Sequence, residues 1–104
     1  MLTREDILAF LIEKKEEFFS QYNLTKLGVF GSFARGEASS ESDIDLIIEF
    51  KPNTANLSDK KSALRDTIGS HFNREVDLCR EKYIKPYFKK QILQSAIYVW
   101  KGQS

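Results

Sequence analysis

Cysteine occurs once in the 104 residues, as Cys79. A single thiol excludes an internal disulfide and suits a reducing cytosol. Glycine and proline are sparse, with 5 and 2 residues, and no repeat, low-complexity tract or linker is visible. No apolar run approaches membrane-spanning length, and the N-terminus does not read as a signal peptide. A cytoplasmic protein with no membrane association is therefore expected. Nor is there an excess of charge of either sign: the formal net charge is +1, which argues against a strong general nucleic-acid binder.

What is present is ordinary for a globular chain, with 41% hydrophobic and 30% charged residues. The length suits one domain, residues 1–104, with a modest single core. Thr3 to Asp6 resembles a helix-capping signal. Ile7, Leu8, Leu11, Phe18, Phe19 and Tyr22 recur at helical spacing, so one helix is expected, ending at Asn23. A strand should follow over 24–30. Leu57, Leu64, Ile68 and Phe72 mark a second long helix, with Ser58 or Asp59 near its start and His71, the only histidine, near its end. His71 reads as a polar surface residue favoured by the helix dipole rather than as a catalytic group. Residues 75–79 form a third strand, in which Cys79 is a packing residue rather than a nucleophile. Pro86 suits the first turn of a last helix, from which Phe88, Ile92 and Leu93 should pack inward, ahead of an extended or helical apolar tail over 96–100. Lys82, Lys85, Lys89, Lys90 and Lys101 face only Glu81, so this end is basic, although a solvated helix face explains it as well.

Chemistry concentrates between Gly28 and Phe50. Val29 and Phe30 end a strand; Gly31 permits a sharp turn and close approach of a ligand to the backbone. Ser32 suits an N-cap for a short helix through Arg35, with Gly36 as its stop. Free N–H groups at a helix start attract phosphate, Ser32 can add a hydroxyl, and Arg35 a positive charge. Arg35 is equally able to pair with Glu37 or Glu41. After ten further residues, Asp43 and Asp45 open a strand whose other face, Ile44, Leu46, Ile48 and Phe50, reads as core. Residues two apart share a face, with Cα atoms roughly 6.5–7 Å apart. Two carboxylates so placed repel, and Mg²⁺ relieves the repulsion using few protein ligands plus phosphate oxygens; two such ions would serve phosphoryl transfer. If the strand over 75–79 lies beside that of Asp45, Asp77 completes a three-carboxylate cluster. Asp-x-Asp alone is weak, and so is Gly-Ser alone. Their combination, each attached to an apolar strand, points to nucleotidyl transfer.

Gly31-Ser32, ten residues, then Asp43-x-Asp45 resembles the signature of the DNA polymerase β nucleotidyltransferase superfamily. The strings Gly-Ser-Phe-Ala-Arg-Gly-Glu and Ser-Asp-Ile-Asp-Leu, with the tail from Lys85-Pro86-Tyr87 to Val99, resemble its smallest members. These are the minimal nucleotidyltransferase (MNT) antitoxins of HEPN–MNT toxin–antitoxin pairs. The resemblance implies a small α/β (α+β) fold, a mixed sheet flanked by helices on one face. It implies a metal-dependent protein adenylyltransferase, with ATP as substrate. Asp43 and Asp45 would hold the metal ions, with Asp77 as third metal ligand and general base, and Gly31, Ser32 and Arg35 would bind the triphosphate. It implies transfer of AMP to a tyrosine of a partner HEPN ribonuclease toxin, with which the chain could form an oligomer. The chain has no room for an acceptor-holding domain of its own, which favours a protein acceptor. Two other readings stay open: an antitoxin that masks its toxin without chemistry, and a small-molecule nucleotidyltransferase completed by a helical partner.

Overall fold

The helix start at Thr3 forms as the sequence suggests. In the computed structural model, which describes residues 1–101, the Thr3 hydroxyl accepts from the Asp6 N–H at 3.1 Å, and the Thr3 N–H donates to the Asp6 carboxylate at 3.0 Å. The reciprocal bonds satisfy two of the donors that a helix start leaves unpaired. The expected single helix is two, α1 (Arg4–Glu13) and α2 (Lys15–Tyr22), broken at Lys14, whose backbone leaves the helical region (φ −95°, ψ 5°). The break lets both apolar stripes reach one core: Ile7, Leu11, Phe18 and Tyr22 are all buried. Asn23 ends α2 in the left-handed conformation that asparagine tolerates.

The chain then runs through β1 (Leu24–Phe30), α3 (Gly31–Arg35), β2 (Ile44–Phe50), α4 (Leu57–Phe72) and β3 (Val76–Arg80). A 3-10 turn (Glu81–Tyr83) leads to α5 (Pro86–Ser95) and β4 (Ile97–Lys101). The four strands lie in the order β3-β2-β1-β4. β1 is antiparallel to both β2 and β4, whereas β2 and β3 are parallel. The result is a mixed α+β sheet, as expected. Two strands begin one residue later than the sequence suggests, at Ile44 and Val76, which leaves Asp43 just outside β2. The tail is resolved as an edge strand.

The core occupies one face. Leu24, Leu27 and Val29 of β1, Ile44, Leu46, Ile48 and Phe50 of β2, and Val76 and Leu78 of β3 meet Leu64 and Ile68 of α4. Alternation along the strands sends Asp45, Ile47 and Glu49 to the other face. Ile47 is buried there, apart from the main cluster. Gly28 lies between Ile47 on one side and Tyr98 on the other. α4 starts after Asn56, with no side-chain cap from Ser58 or Asp59. Its Gly69 admits the Arg74 carbonyl, which would stand 2.9 Å from an added Cβ. His71, the lone histidine, stacks on Phe10 with ring centroids 3.9 Å apart, a contact with the helical layer and not with the acidic motif.

One expectation about packing is wrong. Phe88 does not point inward but is 49% exposed, beside Tyr87 at 87% and Tyr83 at 68%; Ile92 and Leu93 are only half-buried. α5 touches β1 and α3 and buries none of its side chains fully, so its apolar residues form a surface.

β4 is held against β1 through the missing side chain of Gly28: a Cβ there would meet the Ile97 carbonyl at 2.9 Å and Tyr98 at 3.1 Å. Gly28→Ala should therefore destabilise the fold by about 1–3 kcal/mol, as overpacking does, seen as a lower midpoint in urea unfolding. An unchanged midpoint would show that β4 gives way without cost.

Candidate active site

The sheet register assembles the acidic residues. Asp45 on β2 is the direct neighbour of Asp77 on β3, and adjacent strands lie about 4.8 Å apart. Asp77 thus stands where the sequence argument needed it. Asp45 is half-buried, whereas Asp43 and Asp77 are exposed. Burial, then the charges of Asp77 and Asp43, push the Asp45 carboxyl above its ordinary value, against an opposing pull from Arg35. Asp45 accepts no hydrogen bond from the described residues, so its charge is left to be compensated from outside.

Asp43 and Asp77 each act on Asp45, but the three carboxylates are not gathered into a cage. Among the described residues, no three histidine, cysteine, aspartate or glutamate side chains are close enough to hold one metal ion between them. The expected three-carboxylate cluster is therefore an adjacent pair, Asp45 and Asp77, with Asp43 just upstream. Like charges on exposed side chains hold apart. The donors are all carboxylate oxygens, which suits a hard cation that completes its shell with phosphate and water.

The glycine turn abuts this pair. Gly31 adopts φ +73°, and a Cβ added to it would run into the Asp45 carboxylate. Glycine is thus required twice over, for its backbone conformation and for space. Ser32 is not the N-cap of α3: Phe30 holds that position and Ser32 lies within the first turn. A five-residue helix with a glycine in the left-handed region at its start needs no side-chain cap to turn the chain. Gly36 ends it with φ +73°. Arg35 donates through Nε to Glu37 at 2.7 Å, an exposed pair, yet its charge also acts on Asp45. The pairing expected of Arg35 is thus made with Glu37 rather than Glu41.

Further along the same face, charges are paired. Arg80 donates through Nε and Nη2 to Glu49 at 3.1 and 2.9 Å, and the Lys82 N–H adds a bond at 3.0 Å. Burial pushes Glu49 up, but the Lys82 N–H and Arg80 outweigh it and leave the carboxyl below its ordinary value. Glu81, expected to face a cluster of lysines, is taken instead by Lys26 at 3.0 Å and by the Tyr98 hydroxyl at 2.5 Å. Burial, then the hydrogen bond and charge of Glu81, raise the Tyr98 hydroxyl far above its ordinary value. This network was not foreseen, because it joins residues distant in sequence. The side chain of Lys101 lies outside the described residues. Cys79 is half-buried two residues beyond Asp77, and burial, then the Asp77 charge, push its thiol up, against a nucleophilic role.

A family model described as a nucleotidyltransferase domain matches residues 12–99. The chain belongs to that family. Of the relatives, the protein adenylyltransferase MntA of Thermococcus cleftensis is 32% identical over 99 residues, covering 95% of this chain and 98% of that one. A solved structure described as a minimal nucleotidyltransferase superposes with a TM-score of 0.73 at 28% identity, over 92% of this chain and 95% of that one. An MNT antitoxin in complex with a tri-AMPylated HEPN toxin of Shewanella oneidensis shares the fold, with a TM-score of 0.61 at 17% identity over 92% of this chain and 74% of that one. This nucleotidyltransferase is accordingly an enzyme, with a nucleotide as its class of substrate. Among its described residues no helix is long and apolar enough to cross a membrane.

The raised Asp45 value has a consequence for stability. A carboxyl raised on folding favours the native state below its unfolded value, near 3.9, and that benefit is lost as pH rises through the folded value. Without added cation, Asp45→Asn should raise the thermal midpoint at pH 7, and the difference should close below about pH 4. A midpoint lowered at pH 7 would mean that the carboxylate is stabilised by contacts of its own.

Proposed function

We propose that this nucleotidyltransferase moves AMP from ATP to a hydroxyl, that of a tyrosine on a HEPN toxin, and so acts as its antitoxin. The observation that carries the reading is the contact of the Gly31 turn with Asp45, beside Asp77: a glycine turn with a left-handed residue and two neighbouring carboxylates meet at one point, an arrangement that supports phosphate and cation binding side by side. The activity named for the Thermococcus relative, and the AMP-bearing toxin held by the Shewanella antitoxin, support the choice of nucleotide and acceptor. The exposed Tyr83, Tyr87 and Phe88 offer aromatic surface of the kind enriched where proteins meet.

Each residue has a task in this reading. Gly31 and Ser32 bind phosphate oxygens through backbone N–H groups and the Ser32 hydroxyl, and Arg35 adds positive charge. Asp43 and Asp45 would hold Mg²⁺, with Asp77 as a third ligand. Two such ions would neutralise the triphosphate and stabilise charge on the attacking and leaving oxygens. Asp77 takes the proton of the acceptor hydroxyl. The oxygen forms a bond to the α-phosphorus, the bond from that phosphorus to the bridging oxygen breaks, and pyrophosphate leaves with the electron pair. Little covalent chemistry falls to the protein, so positioning and charge do most of the work.

With α-labelled ATP, Mg²⁺ and the host lysate, the wild-type chain should label a polypeptide, and Asp43→Asn/Asp45→Asn should cut labelling by at least about a hundredfold. Undiminished labelling by that variant would dismiss the carboxylates, whereas a co-purifying partner that stays unlabelled would favour masking without chemistry. Asp77→Asn should lower kcat by about 10²–10⁴ with little change in nucleotide affinity. A loss confined to KM would instead make Asp77 a binding group.

A further inference from the structure

We infer that Arg74 is a positioning residue: its guanidinium fixes the loop that presents Asp43, holding it against the glycine-turn helix and the strand of Asp77. This rests on the nucleotidyl-transfer reading above, in which Asp43 is a metal ligand. It adds to that site a residue that acts through Asp43 rather than on nucleotide or metal.

Asp43 is the carboxylate that the sheet supports least. Asp45 and Asp77 are paired in the ladder between β2 and β3, whereas Asp43 is exposed and stands just outside β2. The loop before it, residues 37–42, contains no helix or strand and is mostly exposed. Its own bonds are local: the Ser39 N–H donates to the Ser42 hydroxyl at 2.8 Å, and the Ser42 N–H to the Ser39 carbonyl at 3.2 Å. A turn closed on itself in this way keeps its shape, but it does not by itself fix where the loop sits on the sheet.

Arg74 supplies that link. Its Nη1 donates to the Ser42 carbonyl at 2.8 Å, and to the Ser39 carbonyl at a longer 3.4 Å. The Ser42 carbonyl shares a rigid peptide plane with the Asp43 nitrogen, so the shorter bond acts directly on the Asp43 backbone. The same guanidinium lies over the Phe33 ring, 5.6 Å from its centroid. Phe33 is buried, in α3, two residues beyond Gly31. Arg74 itself stands three residues before Asp77, and its main chain is anchored: its N–H donates to the Gly69 carbonyl at 3.1 Å, and its carbonyl packs against Gly69. One planar group thus bridges the three segments that carry Gly31, Asp43 and Asp77.

The bonds that Arg74 does not make point the same way. It lines one cleft with Glu41, Asp43, Asp66 and Glu75, yet among the described residues it forms an ion pair with none of them. The bonds it does make go to carbonyl oxygens, so it orders the backbone beside Asp43 and leaves that carboxylate open to a cation. Lysine could keep one such bond, but it has neither the flat face that lies on Phe33 nor the fixed fork of donors. Groups that orient metal ligands from outside commonly govern metal affinity as well as shape.

The test titrates the full-length chain with Mn²⁺, a paramagnetic stand-in for Mg²⁺, and reads the bound ion by electron paramagnetic resonance. It compares wild type, Arg74→Met and Arg74→Lys, each with and without Asp43→Asn, at a temperature where circular dichroism shows them folded. Methionine keeps an apolar stem over Phe33 and removes the donors. Arg74→Met should weaken Mn²⁺ about 10–100-fold, and Arg74→Lys less. Amides of residues 39–43 should exchange faster in Arg74→Met, while those of the β1–β2 ladder stay protected. In the Asp43→Asn background Arg74→Met should add nothing, as expected when one residue acts through the other. A lowered thermal midpoint with Mn²⁺ affinity unchanged would make Arg74 a purely structural residue and overturn the inference. Equal losses with and without Asp43→Asn would overturn it too, since Arg74 would then act on the ion by another route. If Arg74→Met does not fold, the same comparison with Arg74→Lys decides. If Asp43→Asn alone leaves Mn²⁺ binding unchanged, the metal-ligand role of Asp43 fails and this inference with it; if Asp43→Asn weakens binding and neither Arg74 variant does, only this inference fails.

Discussion

Two like charges held side by side govern this molecule. Asp45 and Asp77 are neighbours because β2 and β3 are parallel and in register, and that register is set from the opposite face. There Ile44, Leu46, Ile48, Val76 and Leu78 are buried under Leu64 and Ile68. A one-residue slip would send these side chains to water and the carboxylates into the core. The apolar face thus fixes the acidic one, and core packing offsets a repulsion that the carboxylates could not sustain alone.

Charge on the site face is managed differently at its two ends. Around Glu49 and Glu81, each carboxylate has a cation and a further donor: Arg80 with the Lys82 N–H, and Lys26 with the Tyr98 hydroxyl. At Asp45 no such donor exists among the described residues. Half-buried carboxylates on and beside one sheet, two satisfied and one not, separate structure from function better than an inventory of acidic residues does. The satisfied pairs tie β3, the 3-10 turn, β1 and β4 together, and the unsatisfied residue lies against the glycine turn.

Much of this was legible in the sequence where the signal is local. The Thr3–Asp6 cap, the alternation along β2, the glycine at Gly31 and the stop at Gly36 each follow from a few adjacent residues. The placement of Asp77 needed one added assumption, that its strand lies beside β2. Less legible were features that depend on distant partners. The break at Lys14 serves two stripes that must meet one core. The exposure of Phe88 reflects how α5 lies on its neighbours, which helical periodicity does not report. Glu81 reads as the lone acid among lysines, yet Tyr98 and Lys26 claim it across the sheet. Ser32 illustrates a local signal misread: serine at a helix start suggests a cap, but the left-handed Gly31 had already turned the chain.

The parallel pairing of β2 with β3 has a kinetic side. Antiparallel neighbours such as β1 and β2 can zip from a connecting segment, but parallel strands meet only after the chain between them has crossed back, here through α4. The acidic pair is thus a late product of folding, formed when α4 settles onto the sheet and closes a long loop. Any opening that lifts α4 away would dissolve the pair while the β1–β2 ladder persists, so the site and the amide protection of α4 should vanish together.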